Sequence, residues 1–413
     1  MPANVRPPCR FSRIVPGHTC LFLSLLLALT AISCGRTTAS QPTEIEPGVA
    51  YQNDRITDVP WSVHIAKVDR SREDITFVST HAKGTVLGLS TLSEQIKAIP
   101  STAGRPLAGV NGDFYQREGS QYYGDPRGLQ IVEGELFSAP NGGVSFWTDQ
   151  NGHPHTTNVA SSFTVTWPDG TMTTPFGLNE MRASSRAVLY TPTLGQATRT
   201  SGGRELVLES DGKGPWLPLR PGQTCRARVK EVRDSGNTPL RPDIMVLSLG
   251  PQLATSISKV EVGASLKLST ATFPDVTGAR AAIGGGPMLV HNGKRMDIQR
   301  PAGVQISYEF RSMFERHPRA AVGWNTRSLF LIEVDGRQAG LSMGMTLADL
   351  SDYMVKLGCD EAMNLDGGGS ATFWMNGKVR SSPCEGHERP LANALVLVRK
   401  DKPAERRTLR GLP

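Results

Sequence analysis

The chain has 413 residues, 20% charged and 38% hydrophobic, which suits one large domain or two modest ones with a sizeable core. Its net charge of +7 comes from its ends, since three arginines open the chain, residues 399–413 carry six basic groups against two acids, and residues 34–398 sum to zero. This excludes a polyanion-binding footprint in the fold itself and makes the basic tail a solvated end.

Arg6, Arg10 and Arg13 precede an apolar run from Leu21 to Ile32, with small residues at Ala31, Ser33 and Cys34. The run falls short of the roughly 20 residues a spanning helix needs, so residues 1–33 read as a secretory signal peptide. "TAISCG" resembles a bacterial lipobox with Ala31 where Leu is usual, so Cys34 is the candidate lipidation site. Plain cleavage is the alternative. Either route delivers an exported protein of the bacterial cell envelope, touching the membrane only through an anchor at Cys34. Residues 34–58, polar and carrying Pro42 and Pro47, read as a flexible tether.

From Trp61 onward short apolar runs alternate with turn dipeptides: Asn111-Gly112, Asn141-Gly142, Asn151-Gly152, Asp169-Gly170, Asp211-Gly212, Asn292-Gly293, Asp335-Gly336 and Asn376-Gly377. The spacing predicts many hairpins. Two helices are expected, at "TLSEQIKAI" from Thr91 and "TLADLSDYMVKLG" from Thr346, each opened by a capping pair, Thr91 with Glu94 and Thr346 with Asp349. In the second, Leu347, Leu350, Met354 and Leu357 form a core stripe, and Gly358 stops the helix. Alternating charged strands suggest an inserted sub-layer at about 200–275. The expected fold class is α+β, with mixed or antiparallel sheets, a few flanking helices and a single catalytic domain over 59–398.

Two stretches nearly repeat. "GGGPMLVHNGK" from Gly284 and "GGGSATFWMNGK" from Gly367 both pass from three glycines through a short strand into Asn-Gly-Lys. The second follows Asp366. It is no Walker loop, because Ser370 leads into a strand pattern without the lysine and helix that phosphate cradling requires, and one carboxylate is too few for an EF-hand. A tight turn or a ligand-approach loop remains.

Other candidates are single residues in context. Asp113 beside Phe114 and Tyr115 is either a solvated acid in an Asn-Gly hairpin or a sugar-binding acid next to stacking rings. Arg319 suits bidentate phosphate recognition or a surface ion pair. Arg389 and Asn393 flank the final apolar strand. Cys225, Cys359 and Cys384 belong to the mature domain, and Cys359 with Cys384, flanking the glycine loop, is the expected disulfide if one forms. No Cys or His spacing suggests zinc, and neither metal nor cofactor is expected.

Taken in order, "GVNGDFY", "IGGGPMLVHNGK", "PRAAVGW", "VDGRQAGLSMGMTLADL", "MNLDGGGSATFWMNGK" and "ERPLANALVLV" resemble the phosphodiester glycosidase family. The resemblance runs from about Trp61 to Val398 and is most specific from Arg319 on; Glu333 departs from it, as an acid in a strand that is usually apolar. It implies a hydrolase that cleaves the glycosidic bond of a sugar-1-phosphodiester, of the N-acetylglucosamine type, and releases free sugar. It also implies a site: Asp113, Asp366 and Arg319 as catalytic candidates, and Asn111, Gly367, Gly368, Gly369, Ser370, Arg389 and Asn393 as substrate-binding residues. Glycoside cleavage commonly uses two carboxylates, here Asp113 and Asp366, while Arg319 and Arg389 would hold the phosphate. The alternative is a non-catalytic glycan-binding envelope lipoprotein concerned with exopolysaccharide or cell-wall processing. In neither case is nucleic acid an expected partner.

Overall fold

The computed structural model describes residues 37–400 apart from positions 174, 213, 215, 258 and 300–306. The expected signal segment with Cys34, and most of the basic tail, lie outside the described residues.

Among the described residues strands dominate, in four sheets, and every strand pair but one is antiparallel. Helices are few and short, so an α+β label fits the molecule only loosely. Two sheets position the site. In the nine-stranded sheet, Trp61–Asp69, Ser328–Val334, Arg319–Trp324 and Glu361–Asn364 lie side by side. In the five-stranded sheet, Arg105–Asn111 lies between Phe373–Met375 and Ala394–Arg399.

These two sheets pack face to face. Val110, Phe373, Leu395 and Leu397 from one meet Ala320, Val322, Leu331 and Met363 from the other in a single core. The strand Ser328–Val334 is buried at every position, Glu333 included, because both its sides are covered: Leu329 and Leu331 belong to this core, while Phe330, Ile332 and Val334 belong to another. That second core is closed by the helix Leu347–Lys356 through Leu347, Leu350, Tyr353 and Met354. Truncating Leu331, fully buried, to alanine would cost about 2–5 kcal/mol through lost transfer energy and the cavity left behind.

Both expected helices form with their capping boxes. Thr91 Oγ1 accepts the Glu94 N–H at 3.2 Å and Glu94 Oε2 accepts the Thr91 N–H at 2.9 Å; Thr346 and Asp349 do the same at 3.1 Å each way. Each box satisfies N–H groups that the first helical turn leaves open. The stripe Leu347, Leu350, Met354 is core, and Leu357 is partly buried beside it.

Several expectations need correction. The stretch 34–58 is not a tether where it is described: Thr43–Glu46 and Val49–Ile56 are strands of the nine-stranded sheet, and Val49 is fully buried. Pro42 and Pro47 stand outside those strands, where a missing N–H costs nothing. The sub-layer is an eight-stranded sheet drawn from Thr164–Thr166 through Ser265–Ser269, so it begins well before residue 200. Its early member Ala187–Tyr190 is buried at every position and shows no alternation to read. Asn111-Gly112 is not a hairpin either, whereas Asn292-Gly293 and Asn376-Gly377 are, each with positive φ at both residues between paired strands, as a two-residue turn requires. The disulfide is not formed. Cys359 is buried in the core under the helix, and Cys225, Cys359 and Cys384 are all free thiols.

Candidate functional site

Three strand ends meet where the sequence places its glycine loop. Arg105–Asn111 ends beside the loop's Asp366, and hydrogen bonds tie the two: Asn111 Nδ2 donates to the Asp366 carbonyl at 2.7 Å, the Thr372 N–H donates to Asn111 Oδ1 at 3.2 Å, and the Asp366 N–H donates to the Gly112 carbonyl at 3.0 Å. The segment before the last strand closes the knot, since Asn393 Oδ1 accepts the Asp113 N–H at 2.8 Å and its carbonyl accepts the Gly112 N–H at 3.0 Å. A Cβ at Gly112 would collide with Asn393 and Ile283, so this crossing demands glycine. Asn111, Ser370 and Asn393 are at most 1% exposed, and none lines the cavity. Of these expected substrate-binding residues, Asn111 and Asn393 hold the backbone in place through their side chains, because buried peptide groups need partners.

The loop forms one wall of a cavity of about 890 Å³. Asp366, Gly367, Gly368 and Gly369 line it, with Arg319, Arg337 and Arg389, and with the rings of Phe114, Tyr115 and Tyr123. The loop is pressed by cations: a Cβ on Gly368 would meet the Arg337 guanidinium, and one on Gly369 would collide with Arg389 and its ion-pair partner Glu385. Three adjacent glycines therefore do more than turn the chain. They let two guanidinium groups lie against the backbone.

Arg319 is the unusual group. Its residue is 5% exposed, yet its guanidinium donates only to carbonyls: Nε to Met345 at 2.8 Å, and Nη2 to Ser312 and Glu315 at 2.7 and 2.8 Å. No carboxylate among the described residues pairs with it. Burial and the nearby Arg337 charge push its pKa down to about 10, so it stays charged at neutral pH. A buried cation without a counter-ion is costly and favours an anion arriving from the cavity. Arg337, whose Nη2 lies 3.1 Å from His317 Nδ1, adds a second positive charge.

The two candidate carboxylates differ in access. Asp366 lines the cavity and accepts the Gly367 N–H at 2.8 Å; burial raises its pKa against the lowering effect of the Ser370 hydroxyl nearby, the Gly367 N–H and Arg389. Ser370 Oγ itself completes no hydrogen bond. Asp113 lies behind the wall, with Phe114 N–H donating to Oδ1 at 2.8 Å and Gly128 N–H to Oδ2 at 2.7 Å. Desolvation lifts its pKa to about 7, over the opposing effect of those two N–H groups, and the Asp366 charge adds to the rise. The aromatic neighbours that made Asp113 interesting do face the cavity; its own carboxylate does not.

Arg337 stands in the motif "VDGRQ", which carries no local sign of a site residue. Its dipeptide Asp335-Gly336 reads as an ordinary turn, and only the fold brings the following arginine to the glycine loop.

Residues 237–398 match the family model described as phosphodiester glycosidase. That segment is similar to the phosphodiester glycosidase family. The family segment carries Arg319, Arg337, the glycine loop, Arg389 and Asn393, while Asn111 and Asp113 precede it. Among curated proteins, the prophage-derived uncharacterized protein YomE of Bacillus subtilis (strain 168) is 30% identical over 131 residues, 32% of this chain and 19% of that protein. The N-acetylglucosamine-1-phosphodiester alpha-N-acetylglucosaminidase of Bos taurus is 40% identical over 68 residues, 16% of this chain and 12% of the enzyme. The chain thus spans less than a fifth of the length of these relatives. A crystal structure of a hypothetical protein from Synechocystis shares the fold, with a TM-score of 0.69 at 18% identity over 86% of this chain and 63% of that one.

Proposed function

We propose that this protein is an exported hydrolase that cleaves the glycosidic bond of a sugar-1-phosphodiester resembling an N-acetylglucosamine-1-phosphodiester. Water adds to the anomeric carbon, the bond from that carbon to the phosphodiester oxygen breaks, and free sugar and a phosphomonoester leave. The observation that carries this reading is Arg319, nine-tenths buried without a carboxylate partner at a cavity shared with Asp366 and the glycine loop.

Phosphate is a good leaving group, so stabilising the charge it carries away matters more than protonating it. Arg319, Arg337 and Arg389 supply that charge. Asp366, the carboxylate that lines the cavity, assists the anomeric centre or activates water. Asp113 acts from behind, as a second titratable group whose proton tunes the field at Asp366. Phe114, Tyr115 and Tyr123 offer apolar faces for the sugar ring. The amino-terminal segment supports export to the cell envelope, with Cys34 as the lipid anchor.

The test is product analysis on a panel of sugar-1-phosphodiesters with wild-type protein and the D366N variant. Free sugar and phosphomonoester, lost in D366N, are expected. Binding without turnover would favour the glycan-binding lipoprotein instead, and release of sugar phosphate would overturn the bond assignment.

A further inference from the structure

Apart from the cavity, the described residues bring together one cluster of ligating side chains that the proposed reaction does not use. The strands Trp61–Asp69 and Ser328–Val334 pair with His64 opposite Glu333, and Asp335 follows the second strand directly. All three residues are buried, at 3%, 1% and 1% exposure. One donor atom from each lies within 4.8 Å of the others. His64 Nε2 is 3.0 Å from Asp335 Oδ2, the spacing of two neighbouring ligands around a small ion with bonds of about 2.0–2.1 Å.

The surroundings are arranged as they are around a metal. His64 Nδ1 is 2.8 Å from the Tyr51 hydroxyl, which leaves Nε2 as the ring atom facing Asp335. Asp335 Oδ2 accepts the Ser62 hydroxyl at 2.7 Å, and Oδ1 accepts the Ser382 N–H at 2.6 Å. Such outer partners fix ring tautomer and carboxylate orientation in metal sites. Glu333 breaks the pattern of satisfied groups: its Oε2 is buried with no hydrogen-bond partner. A buried polar oxygen left unmade is expensive, and an ion between the three donors removes that cost.

We propose that His64 Nε2, Glu333 and Asp335 Oδ2 bind one divalent transition-metal ion of the zinc or manganese class, a choice set by the mixed imidazole and carboxylate donors. Binding displaces the protons held on the three donor groups, and these leave to solvent. None of the three residues lines the cavity, so the ion is structural. Its reach to the cavity runs through the chain. Asp335 opens the turn whose Gly336 packs on Pro318 and Gly344, and the next residue is Arg337 against the glycine loop. The ion thus pins the base of the turn that delivers a cavity arginine.

The experiment uses the untagged mature chain, stripped with chelator and titrated separately with zinc chloride and manganese chloride. One ion per chain is expected, with Tm raised by at least ~4 °C at saturation, because an ion bound only by the folded state stabilises it. The near-isosteric E333Q and H64Q variants should keep the wild-type circular dichroism while binding at least ~10-fold more weakly and losing the Tm rise. Absence of stoichiometric binding of either ion overturns the proposal. So does binding unchanged in both variants, which would place the ion elsewhere.

Discussion

The raised pKa of Asp113 makes a measurable claim about stability. In the unfolded chain its carboxyl titrates near 3.8, whereas in the folded protein desolvation holds it at about 7. Below the lower value both states carry the proton and the group is neutral in the balance. As pH rises between the two values the unfolded chain gives up its proton while the folded chain keeps it, so folding loses stability with pH, and the loss is complete once pH exceeds the folded pKa. The shift is about 3 units at about 1.4 kcal/mol each, a penalty of ~4 kcal/mol, undiminished by solvent because the group is buried. Asp113→Asn removes the titration. Its amide cannot accept both the Gly128 and Phe114 N–H groups, but that cost does not vary with pH. Urea denaturation of both proteins from about pH 4 to about pH 8 should show wild type losing ~4 kcal/mol relative to the variant across that range. Parallel profiles would refute the argument, because they would mean that Asp113 is ionised in the folded protein at acidic pH and not desolvated as its surroundings imply.

Other consequences are simpler to state. Asp366→Asn should lower kcat on a sugar-1-phosphodiester by at least ~10³-fold while leaving the fold intact, checked by turnover and circular dichroism. Arg319→Lys should not rescue Arg319: an ammonium cannot reproduce the fork bonded to the carbonyls of Met345, Ser312 and Glu315, so kcat/KM should fall by at least ~10²-fold in steady-state kinetics. Gly369→Ala pushes on the tips of Arg389 and Glu385, which are flexible side chains able to move. KM should rise by about 10-fold with a change in Tm under ~2 °C, measured by thermal denaturation beside the kinetics.

Local signals in the sequence were legible where a single residue type decides a conformation. The capping boxes at Thr91 and Thr346 fix helix starts through their own side chains, and the Asn-Gly pairs at 292 and 376 fix hairpins through positive φ. The same reasoning failed at Asn111-Gly112, where tertiary contact with Asn393 sets the backbone and glycine is present for lack of room. It failed too at Val49–Ile56, whose polar residues Gln52, Asn53 and Asp54 hid a paired strand. At the site, residue types announced the acids and arginines, but only the fold separates Asp366, which faces the cavity, from Asp113 behind it, and adds Arg337. Accessibility is a property of packing, and no short motif encodes it.

The charges of the site make sense only together with a ligand. Arg319 is buried with no carboxylate among the described residues to neutralise it, and Arg117, Arg127, Arg319, Arg337 and Arg389 line the cavity against Glu118 and Asp366, so protein groups leave the cavity positive. A second buried carboxylate salt-bridged to Arg319 would stabilise the free protein, but it would also compete with an incoming phosphate for the same guanidinium. Holding Arg319 by neutral carbonyls fixes its orientation and leaves its charge unspent. In the proposed reaction a phosphodiester brings one negative charge to that point, and cleavage of its glycosidic bond leaves a phosphomonoester with more. The arginines therefore interact more strongly with the departing group than with the bound substrate, which is the condition for lowering a barrier and not merely tightening binding.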